Sequence, residues 1–244
     1  MTNHLPSSES TSELLKQLVS DHKLRRIEEV LALRTRHLTL VLEDVHHTHN
    51  ASACLRTCDC FGVQDVHAIE DRNEFEPSRD IVVGAGQWLN LVRYQEPDAD
   101  NARACYESLK AGGYRIIAAS PHADGISLDD YDVTEKTALV FGSEVAGLSQ
   151  TTRDHADGYL TIPMSGFTES LNVSVAVALC LYELTTRLRG SDVEWRLSQD
   201  EMETLRTHWI RGIVNKRMQP EQAEQFWKTL AQRSAAATTD SRIS

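Results

Sequence analysis

Residues 137–149 read TALVFGSEVAGLS, and residues 161–176 read TIPMSGFTESLNVSVA. In each stretch a short apolar run leads into a turn that is rich in glycine, hydroxyl or amide side chains. This pattern is typical of parallel α/β sheets, which bind ligands beyond the carboxyl ends of their strands. Similar apolar runs lie upstream, at LTLVL 38–42, VHAI 66–69, LNLVRY 89–94 and RIIAAS 115–120.

Helical patterns separate several of these runs. Residues 50–60, 98–111 and 170–188 read as helices, and the last of them has a broad apolar face that indicates burial. Together with the runs at 137–143 and 159–164, this alternation predicts a mostly parallel sheet that is covered by helices on both faces.

The two ends of the chain have a different character. Apolar residues at helical spacing predict one or two amphipathic helices within 11–34 and two more at 199–213 and 220–234. Residues 1–10 are polar and Ser-rich, and we expect them to be disordered. The sequence predicts three parts, which are a helical extension at 1–37, an α/β domain at 38–190 and a helical extension at 191–244.

Composition excludes several classes of protein. The chain has 244 residues, of which 41% are hydrophobic, and no apolar run reaches the roughly 18 residues of a membrane span. The polar N-terminus lacks the apolar core of a secretory signal. Five cysteines form an odd set without a CxxC pair, so we expect buried thiols in a reducing cytoplasm.

Metal and nucleotide motifs are missing. Cys54, Cys58 and Cys60 have the wrong spacing for a zinc knuckle, and no carboxylate complements the histidines of 46–49. The GAG at 84–86 is not a dinucleotide fingerprint, and no phosphate-binding P-loop sequence occurs. We therefore expect neither a metal ion nor a nicotinamide cofactor.

Charge is distributed unevenly. The net charge is −11, and residues 57–160 account for all of it with 8 basic and 19 acidic side chains. In contrast, residues 22–37 carry five Lys or Arg, and residues 206–217 carry four with no acid. Such basic ends can bind phosphates because the local potential governs those contacts. On charge alone, however, a solvated helix face is the better explanation.

A third segment completes the candidate site. Residues 49–62 read HNASACLRTCDCFG, in which Asn50 opens a predicted helix and Arg56 lies within its Cys-rich body. Asn50 is suited to cap the helix, whereas a guanidinium in such a helix must find an anion or water. Ser170, Asn172 and Ser174 cluster at the start of another predicted helix, where one of them is expected to be the cap.

Taken together, these three segments resemble the motifs of the SpoU/TrmH family of RNA ribose 2′-O-methyltransferases, within the SPOUT superfamily. Residues 50–58 are similar to motif 1, residues 142–147 to motif 2, and residues 162–176 to motif 3. The resemblance covers roughly residues 20–190, with the motifs in the family's order. The N-terminal region is most similar to the TrmH branch, which modifies tRNA.

The resemblance implies a fold and an activity. It implies an α/β fold with a deep trefoil knot near the C-terminal end of the sheet, flanked by helices at both ends of the chain. The family binds S-adenosylmethionine in the knot and works as a cytoplasmic homodimer with the site at the subunit interface. The TrmH branch methylates the ribose of the D-loop guanosine at tRNA position 18.

The resemblance also implies roles for particular residues. The matching catalytic positions are Asn50, Arg56, Glu144, Ser170 and Asn172. The matching cofactor-binding positions are Ser120, Gly142, Glu144, Gly147, Ile162, Met164 and Leu171. If the protein binds RNA, the basic ends of the chain and one histidine supply the expected contacts. These residues are Lys23, Arg25, Arg26, Arg34, Arg36, His46, Arg211, Lys216 and Arg217.

Three questions stay open at this point. Arg56 could act as the base or as a phosphate clamp, although a guanidinium is effectively always protonated. The substrate could also be ribosomal RNA or another tRNA nucleotide, and a non-catalytic RNA-binding protein could retain the same fold. The five matching catalytic positions favour an enzyme over the last alternative.

Overall fold

The computed structural model describes residues 18–78 and 84–240, with side chains up to residue 230 and at residue 232. The disorder expected for residues 1–10 lies outside the described part of the chain. The first part of the helical region expected at 11–34 lies outside it as well.

The described residues form two compact units. One unit spans Arg34–Arg196, and the other combines the described parts of Met1–Leu33 and Leu197–Ser244. The second unit is helical, and it contains segments from both ends of the chain.

A seven-stranded sheet, with parallel pairing between all neighbours, forms the centre of the Arg34–Arg196 unit. The strand order is β3-β2-β1-β6-β4-β7-β5. The strands are β1 Leu38–Glu43, β2 Asp65–Ile69, β3 Asn90–Tyr94, β4 Arg115–Ala119, β5 Ile126–Ser127, β6 Thr137–Phe141 and β7 Gly158–Thr161. The helices of the described chain are α1 Asp21–Leu31, α2 Thr48–Phe61, α3 Asn101–Ala111, α4 Gln150–His155, α5 Val173–Arg189, α6 Gln199–Asn215 and α7 Pro220–Asp240.

Alternating side chains of the buried strands divide the core into two layers. Leu40 and Leu42 of β1 pack into the cluster that contains residues of α2 and α5, whereas Val41 packs into the cluster that contains residues of α3. Every residue of β1 and β6 is buried, as the continuous apolar runs predict for central strands of a parallel sheet. The predicted fold class and all six predicted strands are confirmed.

Two short elements were not predicted. The strand β5 has two residues and the helix α4 has six, so neither contains enough residues to show a periodic pattern. The start of α2 was also predicted incorrectly, because His47 occupies the N-cap position and Asn50 lies inside the first turn. The expectation that one of Ser170, Asn172 and Ser174 caps a helix is confirmed. Asn172 is the N-cap of α5, and its side chain accepts a hydrogen bond from the Ser174 amide.

The cysteines are free, and four of the five are buried. Burial raises the pKa of Cys54, Cys105 and Cys180 to about 12, which keeps these thiols protonated and inert near neutral pH. Cys60 departs from the expectation of burial, because it lies on the exposed side of α2.

The helical unit is held by caps and ion pairs. Ser198 and Glu201 form a capping box at the start of α6, and the side chain of Ser20 caps α1. Arg206 of α6 donates two hydrogen bonds to the carboxylate of Glu28 in α1, at 2.6 and 2.7 Å.

Among the described residues, no helix is long and apolar enough to cross a membrane.

Arg34 carries a buried charge at the start of the sheet unit. Its side chain is 1% exposed, forms an ion pair with Asp59 of α2 and donates to the Val63 carbonyl oxygen. A buried guanidinium needs such partners, because removal of one leaves an uncompensated charge in a medium of low dielectric constant. Asp59 therefore fixes α2 against the segment that precedes β1.

We predict that Asp59→Ala lowers the free energy of unfolding by about 3 kcal/mol, because it leaves Arg34 buried without its counter-ion. Denaturant unfolding followed by circular dichroism measures this loss. The matched control is Glu135→Ala, which removes an exposed ion pair with Arg115 and costs less than about 1 kcal/mol. Equal small losses in the two variants would contradict a structural role for the buried pair.

Candidate active site

The candidate site lies beyond the carboxyl ends of three adjacent strands. In the sheet, β4 lies between β6 and β7. Ser120 follows β4, Gly142 follows β6 and Ile162 follows β7. The Ser120 amide donates to the Leu160 carbonyl oxygen at 3.0 Å, which continues the pairing past the end of β4. The parallel topology thus brings together three predicted cofactor-binding positions, of which Ser120 and Ile162 are 42 residues apart in sequence.

A closed turn follows β6. Ser143 and Gly147 exchange two backbone hydrogen bonds, of 3.1 and 2.9 Å, and Gly147 has a φ of 65°. A Cβ atom on Gly142 would lie 2.5 Å from the Gly147 backbone, so this close approach requires glycine. The turn therefore holds Glu144 in a fixed direction beyond the strand end.

Glu144 is the centre of the hydrogen-bond network. Its Oε1 accepts from Asn50 Nδ2 at 2.6 Å, and its Oε2 accepts from the His46 backbone amide at 3.1 Å. Asn172 Nδ2 in turn donates to Asn50 Oδ1 at 3.1 Å. One side chain from each of the three predicted motifs therefore contributes to a single network.

The network sets the ionisation of Glu144. Partial burial by itself raises the pKa of this carboxyl, but the hydrogen bonds from Asn50 and from the backbone amides of Glu144, His46 and His47 outweigh it. The resulting pKa is lowered, and Glu144 stays a carboxylate that accepts hydrogen bonds. This state suits an anchor for the turn better than a proton acceptor.

The segment between β7 and α5 is open. Within the described chain, the backbone groups of residues 163–170 form no hydrogen bond with other protein atoms. Met164 and Leu171 expose apolar side chains in and beside this segment. Free N–H and C=O groups next to apolar side chains are suited to bind a heteroaromatic ring and its polar edge.

Not every predicted catalytic residue joins the network. Arg56 is exposed on α2 and has no hydrogen-bond or ion-pair partner among the described residues. Ser170 is exposed in the open segment, two residues before the Asn172 cap, and it likewise makes no hydrogen bond with the described part of the chain. Both side chains are therefore available to a bound molecule.

The predicted RNA contacts fall into two groups. Arg25 and Lys216 are exposed, and so is Arg26, which forms an ion pair with Glu29 at 3.0 Å. Lys23 is half-buried in α1. Arg217 is exposed and donates to the Leu18 carbonyl oxygen, while Arg211 is half-buried over the Trp227 ring at 5.2 Å.

Two arginines of the set have structural partners in the sheet unit. Arg34 is buried against Asp59, so it cannot reach RNA, and we remove it from the expected contacts. Arg36 is half-buried and donates from Nε to Asp65 at 2.9 Å. His46 is exposed, and its ring Nδ1 lies 3.1 Å from Asn73 Oδ1.

Sequence reasoning missed the residues that support the network from β1. Glu43, at the end of β1, is fully buried and accepts from the Ser149 amide and the Thr152 hydroxyl. The next residue, Asp44, accepts from three consecutive amides of residues 71–73. The sequence shows that Glu43 and Asp44 are adjacent at the end of a predicted strand, but it does not show their partners, which lie 27 to 109 residues away.

Within residues 18–78 and 84–240, no cluster of three or more potential ligands is suited to a metal ion.

We predict that Glu144 stabilises the folded protein only while it is ionised. Because its folded pKa is lowered, the stabilisation is complete above its ordinary pKa of about 4.5 and is lost as the pH falls through the folded value. The difference in unfolding free energy between the native chain and Glu144→Gln should be constant from pH 8 to 5 and shrink at lower pH. A difference that grows on acidification would contradict the direction of the shift.

The chain is similar to known proteins of one family. Residues 37–182 match the SpoU rRNA Methylase family. The chain is 42% identical over 201 residues to the tRNA (guanosine(18)-2'-O)-methyltransferase of Borreliella burgdorferi, and the match covers 82% of this chain and 90% of the relative.

Solved structures of SpoU-type proteins are also similar to this chain. The chain is similar to the A. aeolicus TrmH/SpoU tRNA modifying enzyme, with a TM-score of 0.68 and 29% identity over 82% of this chain and 98% of the other. It is also similar to the methyltransferase AviRb from Streptomyces viridochromogenes in complex with AdoMet, with a TM-score of 0.54 and 25% identity over 67% of this chain and 62% of the other. The chain therefore belongs to the SpoU methylase family.

Proposed function

We propose that this protein transfers a methyl group from S-adenosylmethionine to the 2′-oxygen of a ribose in tRNA, at the D-loop guanosine of position 18. The observation that carries the proposal is the network that Glu144, Asn50 and Asn172 form across the three motifs. The relative from Borreliella burgdorferi, which is named for this activity, matches 82% of the chain and supports the choice of substrate.

The residues beyond the strand ends fit S-adenosylmethionine. Gly142 leaves room for a close approach, and the open backbone of residues 163–170 offers hydrogen-bond donors and acceptors beside Met164 and Leu171. The residues that would hold the cofactor are Ser120, Gly142, Gly147, Ile162, Met164 and Leu171. When bound, the cofactor supplies an activated methyl group on a sulfonium, so the transfer requires no metal ion.

Each catalytic position has a separate task in this proposal. Glu144 and Asn50 hold the turn after β6 against α2, and Asn172 holds the start of α5 against both. Ser170 binds the polar end of the cofactor, because its exposed hydroxyl makes no hydrogen bond within the described part of the chain. Arg56 binds the phosphate and ribose of the target nucleotide, because its exposed guanidinium stays protonated and presents a rigid fork of donors.

The tRNA contacts are proposed for the expected basic residues other than Arg34, of which five are exposed and three are half-buried. They are Lys23, Arg25, Arg26, Arg36, His46, Arg211, Lys216 and Arg217. Contacts of this kind release counter-ions from the RNA backbone, so the affinity should fall steeply with salt. The acidic segment 57–160 would repel RNA elsewhere and favour one orientation.

We propose a homodimer that forms through α5. Val175, Leu179 and Tyr182 are 46%, 42% and 57% exposed, and their spacing of four and three residues puts them on one stripe of the helix. The exposed Leu171 lies just before the same helix and continues the apolar surface. Coverage of such a stripe by a second copy removes apolar area from water.

Two further expectations belong to the proposal. The chain is expected to follow the trefoil-knotted path that the family resemblance implies, with the knot formed by the segments around the cofactor. A cytoplasmic location is also proposed, and it is supported by the five unpaired cysteines and by the tRNA substrate.

The direct test incubates the purified protein with methyl-labelled S-adenosylmethionine and unmodified tRNA transcript, followed by mapping of the labelled nucleotide. The proposal predicts label on the ribose of guanosine 18 and none on a transcript with adenosine at that position. Label at another nucleotide, or on ribosomal RNA alone, would overturn the substrate and keep the chemistry. Absence of both label and cofactor binding would favour an RNA-binding protein without catalysis.

We predict that Arg56→Ala lowers the rate of methyl transfer by about 100-fold or more, because the target ribose loses its charged clamp. Calorimetry should find the affinity for S-adenosylmethionine unchanged within a few-fold. The control Arg56→Lys keeps the charge but loses the bidentate fork, so its rate of methyl transfer should lie between those of the native chain and Arg56→Ala. A large loss of cofactor affinity in Arg56→Ala would contradict a role at the substrate.

We predict that Leu179→Asp converts a dimer into monomers, because a charge in the middle of the apolar stripe cannot be buried without a partner. Sedimentation velocity measures the change. The matched control is Val92→Lys, which alters an exposed apolar residue of the sheet-edge strand β3 and should leave the dimer intact. A native chain that sediments as a monomer would refute the proposed dimer.

A further inference from the structure

The proposed reaction requires a proton acceptor for the ribose 2′-hydroxyl. Arg56 is unsuited to this task because a guanidinium stays protonated. Glu144 is also unsuited, because its oxygens accept hydrogen bonds from Asn50 and His46 that lower the pKa of the carboxyl. The side chains that remain near the network include His46, whose backbone amide is bound to Glu144.

The loop after β2 holds the His46 ring. Asp44 is 2% exposed and has a left-handed backbone with a φ of 51°. Its carboxylate accepts from the amides of Asp71, Arg72 and Asn73 at 3.0, 2.8 and 3.2 Å, and from the Arg72 side chain at 3.0 Å. These bonds fix the position of Asn73 beside His46.

The backbone of Asp44 also fixes which way the Asn73 amide points. Asn73 Nδ2 donates to the Asp44 carbonyl oxygen at 3.1 Å, and a carbonyl oxygen can only accept. Rotation of the amide by 180° would bring its oxygen against that carbonyl, so Oδ1 must face the histidine. The orientation therefore follows from the hydrogen-bond partners.

The amide orientation determines the tautomer of His46. Asn73 Oδ1 lies 3.1 Å from His46 Nδ1 and can only accept, so Nδ1 carries the hydrogen. In the neutral ring, Nε2 is then an unprotonated acceptor. The side chain is exposed, so Nε2 is open to a bound molecule.

We propose that His46 Nε2 is the proton acceptor for the target ribose 2′-hydroxyl, and that Asn73 is the positioning residue that keeps the hydrogen of the neutral ring on Nδ1. This inference rests on the proposed methyl transfer. The 2′-O–H bond breaks and its proton moves to Nε2, while the oxygen lone pair forms the new bond to the methyl carbon. The bond between that carbon and the donor's sulfur breaks, and its electron pair stays on sulfur, which becomes a neutral thioether. The imidazolium then returns its proton to water.

Several titratable or charged groups lie near His46. The His47 ring lies 5.1 Å away between centroids, and Glu144 faces the His46 backbone. Asp44, Asp71 and Arg72 lie on the side of Asn73. The arrangement differs from a catalytic triad in that a neutral amide, and not a carboxylate, orients the imidazole.

The tautomer is tested without any activity measurement. Nitrogen-15 NMR of the full-length protein, with the His46 signals assigned by comparison with His46→Gln, distinguishes protonated Nδ1 from protonated Nε2. The native chain should show hydrogen on Nδ1, and Asn73→Leu should shift the population toward hydrogen on Nε2. A native ring with hydrogen on Nε2 would overturn the proposed role of Asn73.

The acceptor role is tested by chemical rescue. At saturating tRNA, His46→Ala should lower the single-turnover rate of methyl transfer by about 100-fold or more, with the affinity for S-adenosylmethionine within about threefold of the native chain. The loss of one tRNA contact should lower the affinity for tRNA far less than the rate. Imidazole added to the buffer should restore part of this rate, because the exposed position admits a small molecule. Arg56→Ala is the matched control, since imidazole should not restore its activity.

The outcomes separate this inference from the proposed function. A native rate that survives in His46→Ala, or a loss that lies entirely in tRNA affinity and resists imidazole, would overturn the acceptor role while the function stands. If the native chain transfers no methyl group to tRNA, the proposed function fails first, and the NMR result still decides the tautomer.

Discussion

The carboxylate of Glu144 is the group on which the rest of the site depends. It accepts from the Asn50 side chain and from the His46 amide, and Asn50 is bound in turn by Asn172. Hydrogen bonds to a charged group contribute more than neutral ones, and they also fix direction. Without this carboxylate the turn after β6 would lose its hydrogen bonds to Asn50 and to the His46 amide, and Asn50 would keep only the bond from Asn172.

The fold makes this convergence possible through simple constraints. Parallel strands direct all their carboxyl ends to one edge of the sheet, and α2 and α5 cover one face of it. Gly142 permits a turn tight enough to bring Glu144 back over the strand ends. Glu43 and Asp44 at the end of β1 then bind the loops on either side.

Most of the fold could be predicted from local patterns, because continuous apolar runs indicate central strands and an amide before a long apolar helix indicates its cap. The membership of the network could be inferred only through resemblance, since its bonds join residues 94 to 122 positions apart. The burial of Arg34 was missed, because a basic residue in a charged segment gives no sign of a distant partner such as Asp59.

The support of His46 was missed for a related reason. Asn73 lies in a polar loop without periodicity, and its contacts with Asp44 and His46 appear only after β1 and β2 pair. Residues of this kind act through orientation rather than through a recognisable motif. The two helical ends of the chain also give no sequence signal that they belong to one compact unit.

A double-mutant cycle on Asn50 and Glu144 tests the central claim most directly. The free energy of unfolding and the affinity for S-adenosylmethionine would be measured for Asn50→Ala, Glu144→Gln, the double variant and the native chain. We predict that the two effects are coupled by about 1 kcal/mol or more in unfolding, with the second substitution adding little to the first. Additive effects in both measurements would show that the two residues act independently and would contradict the account.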